Sequence, residues 1–160
     1  MPHYVAVVGP SAPDNPDLLD QATSAGRLLA GHGWVVVTGG LGGVMAAAAA
    51  GVAEAGGTAV ALLPGSDREA ASPGHTVAIP TGLGEMRNAL VVRTVDAVLA
   101  LGGSWGTLSE VALAARTGVP VFAVAGWDLA GLGDGPDAAT PVVDCASVDD
   151  AVERIAQVLG

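Results

Sequence analysis

Short apolar runs, rich in valine, alternate along this chain with longer alanine-rich segments. Runs without polar alternation are typical of strands buried on both faces of a parallel sheet, and the segments between them of crossover helices. The pattern predicts a single α/β domain over residues 1–160, a Rossmann-like doubly wound parallel sheet with helices on both faces. The predicted strands are residues 4–8, 34–38, 58–63, 97–101 and 119–124, with a short strand near Val142.

Start and stop signals place the predicted helices. Asn15 is a favourable N-cap followed by proline at the first helical position, so a helix begins there and ends near Gly31. A second helix is predicted over residues 44–55, and a last one begins at Ser147. Residues 64–85 contain three prolines and four glycines and lose the pattern. We expect a lid or binding loop there, because long irregular connections often carry function.

Composition narrows the possible functions. All six basic residues are arginines, which excludes a lysine Schiff base, a pyridoxal-phosphate lysine and the Gly-Lys-Ser/Thr phosphate loop, since each requires the amine. The formal net charge of -10 predicts no binding to nucleic acid. With 51% hydrophobic and only 14% charged residues, the chain is expected to cover apolar surface in a homodimer or larger homo-oligomer.

No apolar stretch approaches the roughly 18 residues that a membrane span needs. Residues 1–5 show no signal-peptide pattern, so a cytoplasmic location without a membrane partner is expected. Cys145 is the only cysteine and is expected to be a small buried apolar residue. The histidines His3, His32 and His75 lack metal-ligand spacing, so no metal site is expected.

Glycine-rich turns follow three of the predicted strands. They are Gly9-Pro10-Ser11, residues 39–43 (Gly-Gly-Leu-Gly-Gly) and residues 102–107 (Gly-Gly-Ser-Trp-Gly-Thr). The carboxyl ends of parallel strands share one edge, where glycines let backbone N–H groups approach an anionic ligand. The turns therefore predict a site for a nucleotide or another phosphorylated ligand. Because the Gly-x-Gly-x-x-Gly fingerprint is absent after the first strand, a nicotinamide dehydrogenase is disfavoured.

The third turn carries a resemblance to a known family. Residues 101–110 resemble the Pro-Gly-Gly-x-Gly-Thr-x-x-Glu signature of the LOG (Lonely Guy) family of the SLOG superfamily. Residues 38–45 resemble its first glycine turn, and Met86-Arg87-Asn88 resembles its Arg-Lys motif, with Asn88 in place of lysine. Leu101, where LOG enzymes have proline, and Gly126-Trp127 are similar to the branch that contains molybdenum cofactor carrier proteins.

The resemblance implies two functions. One is binding of a nucleotide-like phosphorylated ligand, such as a nucleotide or a molybdopterin-type ligand, by a carrier or sensor that requires no cofactor. The alternative is cleavage of nucleoside 5′-monophosphates to free base and ribose 5-phosphate, with Arg87 orienting the substrate and Glu110 stabilising charge on the ribose. The turns and the resemblance together predict these ligand-binding residues: Gly9, Ser11, Gly39, Gly40, Gly42, Gly43, Met45, Asn88, Gly102, Gly103, Ser104, Trp105, Gly106 and Thr107.

Structural roles compete with these functional ones. Thr107-x-x-Glu110 matches a capping box, in which Glu110 would accept a hydrogen bond from the N-cap N–H. Arg87 can also be a solvated helix residue. Trp105 can stack on a flat heterocycle or pack across a dimer interface, whereas Trp34, at the start of a buried strand, is expected in the core.

Overall fold

The computed structural model describes residues 1–129 and 142–160. Seven strands in these residues form one parallel sheet. Its strands are β1 (Tyr4–Val8), β2 (Val35–Thr38), β3 (Ala59–Leu63), β4 (Val77–Pro80), β5 (Ala97–Leu101), β6 (Val121–Val124) and β7 (Val142–Asp144). The strand order is β4-β3-β2-β1-β5-β6-β7, and every neighbouring pair is parallel. The chain builds outward from β1 to β4 and then returns to place β5 beside β1. The order therefore reverses at the centre of the sheet, where open α/β folds bind ligands.

Helices cover both faces of the sheet. They are α1 (Pro16–Gly31), α2 (Val44–Glu54), α3 (Arg87–Arg93), α4 (Trp105–Arg116) and α5 (Val148–Leu159). The first, second and fifth helices pack on the face that carries Val5 and Val7, and the third and fourth on the face that carries Ala6 and Val8. Successive strand residues point to opposite faces, so both faces of each central strand are buried. The predicted doubly wound, Rossmann-like fold is confirmed.

Most predicted elements lie within two residues of their observed bounds, and β1 and β5 have the bounds predicted. The Asn15 side chain caps α1 by accepting a hydrogen bond from Asp17 N at 3.0 Å, and Ser147 caps α5. Trp34 and Cys145 are buried, as predicted. The assignment of all 160 residues to one domain stays a prediction.

The expected irregular connection over residues 64–85 was wrong in part. Residues 77–80 form β4, which pairs with β3 at the edge of the sheet. Its apolar side chains Val77 and Ile79 are 43% and 44% exposed, because the strand lies at the edge of the sheet. Pro80 is compatible with an edge strand, where no ladder N–H is needed from it. Two short 3-10 helices, Arg68–Ala70 and Gly84–Met86, flank the strand.

Close packing of α1 against α2 fixes the position of the second helix. A Cβ added to Gly51 would lie 2.0 Å from the Thr23 carbonyl oxygen, so the two backbones meet at a distance that only glycine permits. At the start of α2, Val44 N donates to Pro10 O at 3.0 Å. The turns after β1 and β2 are thereby tied together. Over the two described ranges, no helix combines the length and apolarity that membrane crossing requires.

Candidate functional site

A cavity of about 220 Å³ lies at the carboxyl edge of the sheet, between the turns that follow β1 and β2 and the start of α4. It contains eight of the predicted ligand-binding residues together with both predicted catalytic residues. Val7, Val8 and Leu41 also line it and were not predicted; Leu41, inside the glycine turn, could have been identified from the sequence. The complete lining is Val7, Val8, Gly9, Ser11, Gly39, Leu41, Met45, Arg87, Asn88, Ser104, Gly106, Thr107 and Glu110.

Six predicted ligand-binding residues lie outside this lining: Gly40, Gly42, Gly43, Gly102, Gly103 and Trp105. Gly40 is turned toward β3, where an added Cβ would lie 2.6 Å from the Leu63 side chain. Gly103 supports the Trp127 indole, whose Nε1 would lie 2.8 Å from an added Cβ. In the structure, these two glycines allow close packing around the turns.

Arg87 begins α3 and extends its side chain over the β2 turn. Nη2 donates to Gly39 O at 3.2 Å, and Nη1 donates to Asn88 Oδ1. The side chain is only 8% exposed, and its Nε is buried with no hydrogen-bond partner among the described residues. An added Cβ at position 39 would lie 2.5 Å from Nη2, so a larger residue there would displace the Arg87 guanidinium. The alternative of a solvated helix residue is therefore wrong.

Glu110 faces Arg87 from the second turn of α4. Its Oε1 lies 3.8 Å from Arg87 Nη1, and the residue is 7% exposed. Burial raises the pKa of Glu110 to about 7, against the opposing effect of the Arg87 charge. Burial also lowers the pKa of Arg87, and Glu110 opposes that change. The site thus holds a carboxyl that exchanges its proton near neutral pH beside a cation.

The capping box predicted for Thr107 and Glu110 was wrong. The helix begins earlier, at Trp105, and Ser104 is its N-cap. Ser104 Oγ accepts a hydrogen bond from Thr107 N at 3.2 Å and lies 2.9 Å from Thr107 Oγ1. Glu110 is consequently too far along the helix to reach the N-cap N–H. Its carboxyl is directed to the cavity, as are the hydroxyls of the cap.

Asn88 connects the two helices that carry the charged pair. Its Nδ2 donates to Ser109 Oγ at 3.1 Å, and Ser109 Oγ donates to Gly106 O at 2.6 Å. Asn88 Oδ1 accepts from Arg87, as described above. The asparagine, which replaces the lysine of the LOG motif, therefore holds Arg87 and the first turn of α4 in register.

Trp105 is 81% exposed on the first turn of α4. Its ring meets the Trp127 ring edge to face, with 5.5 Å between the ring centroids. Both predicted roles, stacking on a heterocycle and packing in a dimer, stay open for this side chain. In the described part of the chain, no cluster of three or more His, Cys, Asp or Glu residues is arranged to hold a metal ion.

Three kinds of comparison relate this chain to known proteins. The model of the SLOG cluster4 family matches residues 2–152. The molybdenum cofactor binding protein of the phototrophic bacterium Rippkaea orientalis is 34% identical, with a TM-score of 0.91 and coverage of 100% of this chain and 99% of that one. The molybdenum cofactor carrier protein of Chlamydomonas reinhardtii is 32% identical, with a TM-score of 0.84 and coverage of 99% of each chain.

An uncharacterised protein of Archaeoglobus fulgidus is 40% identical over 97 residues, which are 61% of this chain and 64% of that protein. The likeness to molybdenum cofactor carrier proteins, in contrast, extends over nearly the whole chain and confirms the branch that the motifs indicated. On the family match over residues 2–152, the chain belongs to the SLOG cluster4 family.

Proposed function

We propose that this chain is a carrier that binds a nucleotide or molybdopterin-type ligand, through its phosphate, in the cavity at the carboxyl edge. The observation that carries the proposal is the burial of Arg87 beside the cavity. Arg87 lines the cavity, and its buried Nε has no hydrogen-bond partner in the part of the chain that the structure describes. A phosphate supplies acceptor oxygens for such a group in charge-assisted hydrogen bonds. The similar structures are of proteins that bind or carry the molybdenum cofactor, which agrees with a ligand of this class.

The first turn of α4 supplies further groups for the phosphate. Ser104 and Thr107 hydroxyls line the cavity beside the helix N-terminus, where backbone N–H groups and the helix dipole favour an anion. Glu110 would repel the phosphate if it were ionised. With its pKa at about 7, a protonated Glu110 leaves the Arg87 charge unopposed. Phosphate binding and proton uptake by Glu110 are therefore coupled.

The size of the cavity limits which part of the ligand it encloses. At about 220 Å³ it is smaller than typical pockets for whole ligands, which start at roughly 300 Å³. We assign the phosphate and its adjoining group to the cavity and the heterocycle to the outside. The exposed Trp105 ring, between the lining residues Ser104 and Gly106, offers a face on which a flat heterocycle can stack.

Two matched serine caps test this assignment. Ser104 and Ser147 each cap a helix and accept a hydrogen bond from the third residue along. Each change to alanine should lower the free energy of unfolding by about 1 kcal/mol. Only Ser104→Ala should also weaken binding, by about fivefold, because it removes a hydroxyl from the cavity. Binding is measured with molybdenum cofactor, detected as its oxidised pterin fluorescence after gel filtration, and with guanosine 5′-monophosphate (GMP) by calorimetry.

GMP is a suitable probe because guanine and pterins share the same amino-oxo-pyrimidine ring. Equal affinities of the two alanine variants for the ligand would mean that the phosphate does not bind at the first turn of α4. If neither molybdenum cofactor nor GMP binds the parent protein, the proposed function is wrong.

The second candidate function is hydrolysis of nucleoside 5′-monophosphates. One observation favours it: a buried carboxyl with a pKa of about 7 lies in the cavity, as a general acid or base at an N-glycosidic bond would require. Under the carrier proposal, chromatography should detect no free base after incubation with a panel of monophosphates. Free base released by the parent and not by the Glu110→Gln variant would show that the protein is a hydrolase.

A further inference from the structure

A hydrogen-bonded cluster lies on the far side of the β2 turn from the cavity. Thr38, the fully buried last residue of β2, has its Oγ1 2.7 Å from His75 Nε2 and accepts a hydrogen bond from Gly40 N at 2.9 Å. His75 Nδ1 lies 2.9 Å from Ser72 O and 3.2 Å from Ser72 Oγ. Ser72 N in turn donates to Gly40 O at 3.0 Å. The connection between β3 and β4 is thus joined to the β2 turn directly at Gly40 O, and to Gly40 N only through the Thr38 hydroxyl.

The partners of His75 determine its tautomer. Of the two Ser72 atoms near Nδ1, the carbonyl oxygen is the nearer and can only accept, so Nδ1 carries the proton; the hydroxyl oxygen can accept from the same N–H. Nε2 then has a free lone pair and accepts from the Thr38 hydroxyl, which still accepts from Gly40 N–H. In this series of hydrogen bonds, from Gly40 N–H through Thr38 and His75 to the Ser72 carbonyl, every donor and acceptor has a partner only if the imidazole is neutral.

The cluster acts next to the contact that holds Arg87. Gly39, between Thr38 and Gly40, accepts the Arg87 hydrogen bond on its carbonyl. We infer that neutral His75 is a positioning residue of the ligand site: through Thr38 it holds the β2 turn against Arg87, and its protonation weakens ligand binding. The effect on binding rests on the proposed function; the effect on the turn does not.

Protonation of His75 would place an N–H on Nε2, facing Thr38 Oγ1. The hydroxyl would then lose its acceptor in a fully buried position, where an unmade hydrogen bond is costly. Burial lowers the pKa of His75, and the Ser72 carbonyl opposes this effect. The neutral form is therefore favoured at pH 7, and protonation occurs below the ordinary value of 6.5.

Among the described residues, few charged groups lie near this histidine. The strands β2, β3 and β4 contain no ionisable residue, and α2 has only Glu54, in its last turn, paired with Arg27. Arg68 and Glu69, on the same connection as His75, line a surface depression with it. Burial and hydrogen bonding consequently dominate its titration.

Two substitutions separate the two nitrogens of the ring. His75→Gln can place an amide oxygen near the Nε2 position to accept from Thr38, without titrating. His75→Asn is shorter, can still donate to Ser72 O and loses the Thr38 contact, as does Thr38→Val. At pH 8 we expect GMP affinity of the Gln variant within about twofold of the parent, and of the Asn and Val variants about tenfold weaker.

The pH dependence gives an independent result. Glu110 and the GMP phosphate titrate in both the parent and His75→Gln, so the ratio of their dissociation constants isolates the histidine. Between pH 8 and pH 5 the GMP affinity of the parent should fall about fivefold relative to that of the Gln variant. If the Asn variant does not fold, the comparison of the parent with the Gln variant still tests the inference. A ratio that does not change with pH, or full affinity in a folded Asn variant, would overturn the inference.

Amide exchange at Gly40, measured without ligand, separates this inference from the proposed function. At one pH, exchange should be about tenfold faster in His75→Asn and Thr38→Val than in the parent and His75→Gln. If GMP binds no variant and Gly40 follows this order, the proposed function fails and the hold on the turn is supported. Equal exchange in all four proteins would overturn the hold itself.

Discussion

Arg87→Met is expected to weaken GMP binding by about 100-fold and to lower the free energy of unfolding by about 3 kcal/mol. The affinity falls because charge-assisted hydrogen bonds to a phosphate in an enclosed site are worth up to about 3 kcal/mol. The stability falls because the Gly39 carbonyl loses its donor and the buried Glu110 loses the opposite charge. Calorimetric titration and urea denaturation at pH 7.5 measure the two effects.

Arg93→Met is the matched control for this change. Arg93 lies on the same helix, is exposed, and undergoes the same loss of charge. We expect its affinity within about twofold of the parent and its stability within about 0.5 kcal/mol. The double variant Arg87→Met/Glu110→Gln should recover part of the stability and none of the affinity. Recovered affinity would mean that Arg87 only balances Glu110 and does not contact the phosphate.

Much of the fold could be predicted because burial leaves a direct trace in the sequence. The runs that became β1 and β5 are apolar at every position from Val5 to Val8 and from Ala97 to Leu101, as strands covered on both faces must be. Asn15 predicted the start of α1 because its side chain satisfies a free N–H of the first turn. β4 was missed although Val77, Ala78 and Ile79 are apolar, because this short run ends in proline and lies among the prolines and glycines of residues 64–85.

The location of the site could also be predicted, and its internal contacts could not. Glycine turns after parallel strands must meet at one edge, which is why residues of all three turns line one cavity: Gly9, Ser11, Gly39, Ser104, Gly106 and Thr107. The pairing of Arg87 with Glu110 depends on how α3 packs beside α4, which no local pattern determines. The cap of α4 was misassigned because Ser104 and Thr107 are both suitable N-caps, and only the structure shows which hydroxyl accepts.

The contribution of Glu110 to the stability of the protein should fall as the pH rises. Its pKa is raised from 4.5 to about 7 in the folded chain. Between these values the unfolded chain releases the proton and the folded chain retains it, so the free energy of unfolding decreases with pH. The contribution is complete below pH 4.5 and is lost above about pH 7, a total of roughly 3 kcal/mol. Glu110→Gln removes this dependence, because the amide does not titrate.

Urea denaturation of the parent and of Glu110→Gln between pH 4.5 and pH 8 measures this difference, with Glu85→Gln as the control. Glu85 is exposed, so the same loss of a carboxylate there should leave the parent's pH profile in place. The Glu110→Gln variant should gain stability relative to the parent as the pH rises. A constant difference between the two would mean that Glu110 is already ionised at pH 5 and stays bound to Arg87. In that case the guanidinium would not be free at neutral pH, and a phosphate would have to displace the carboxylate to reach it.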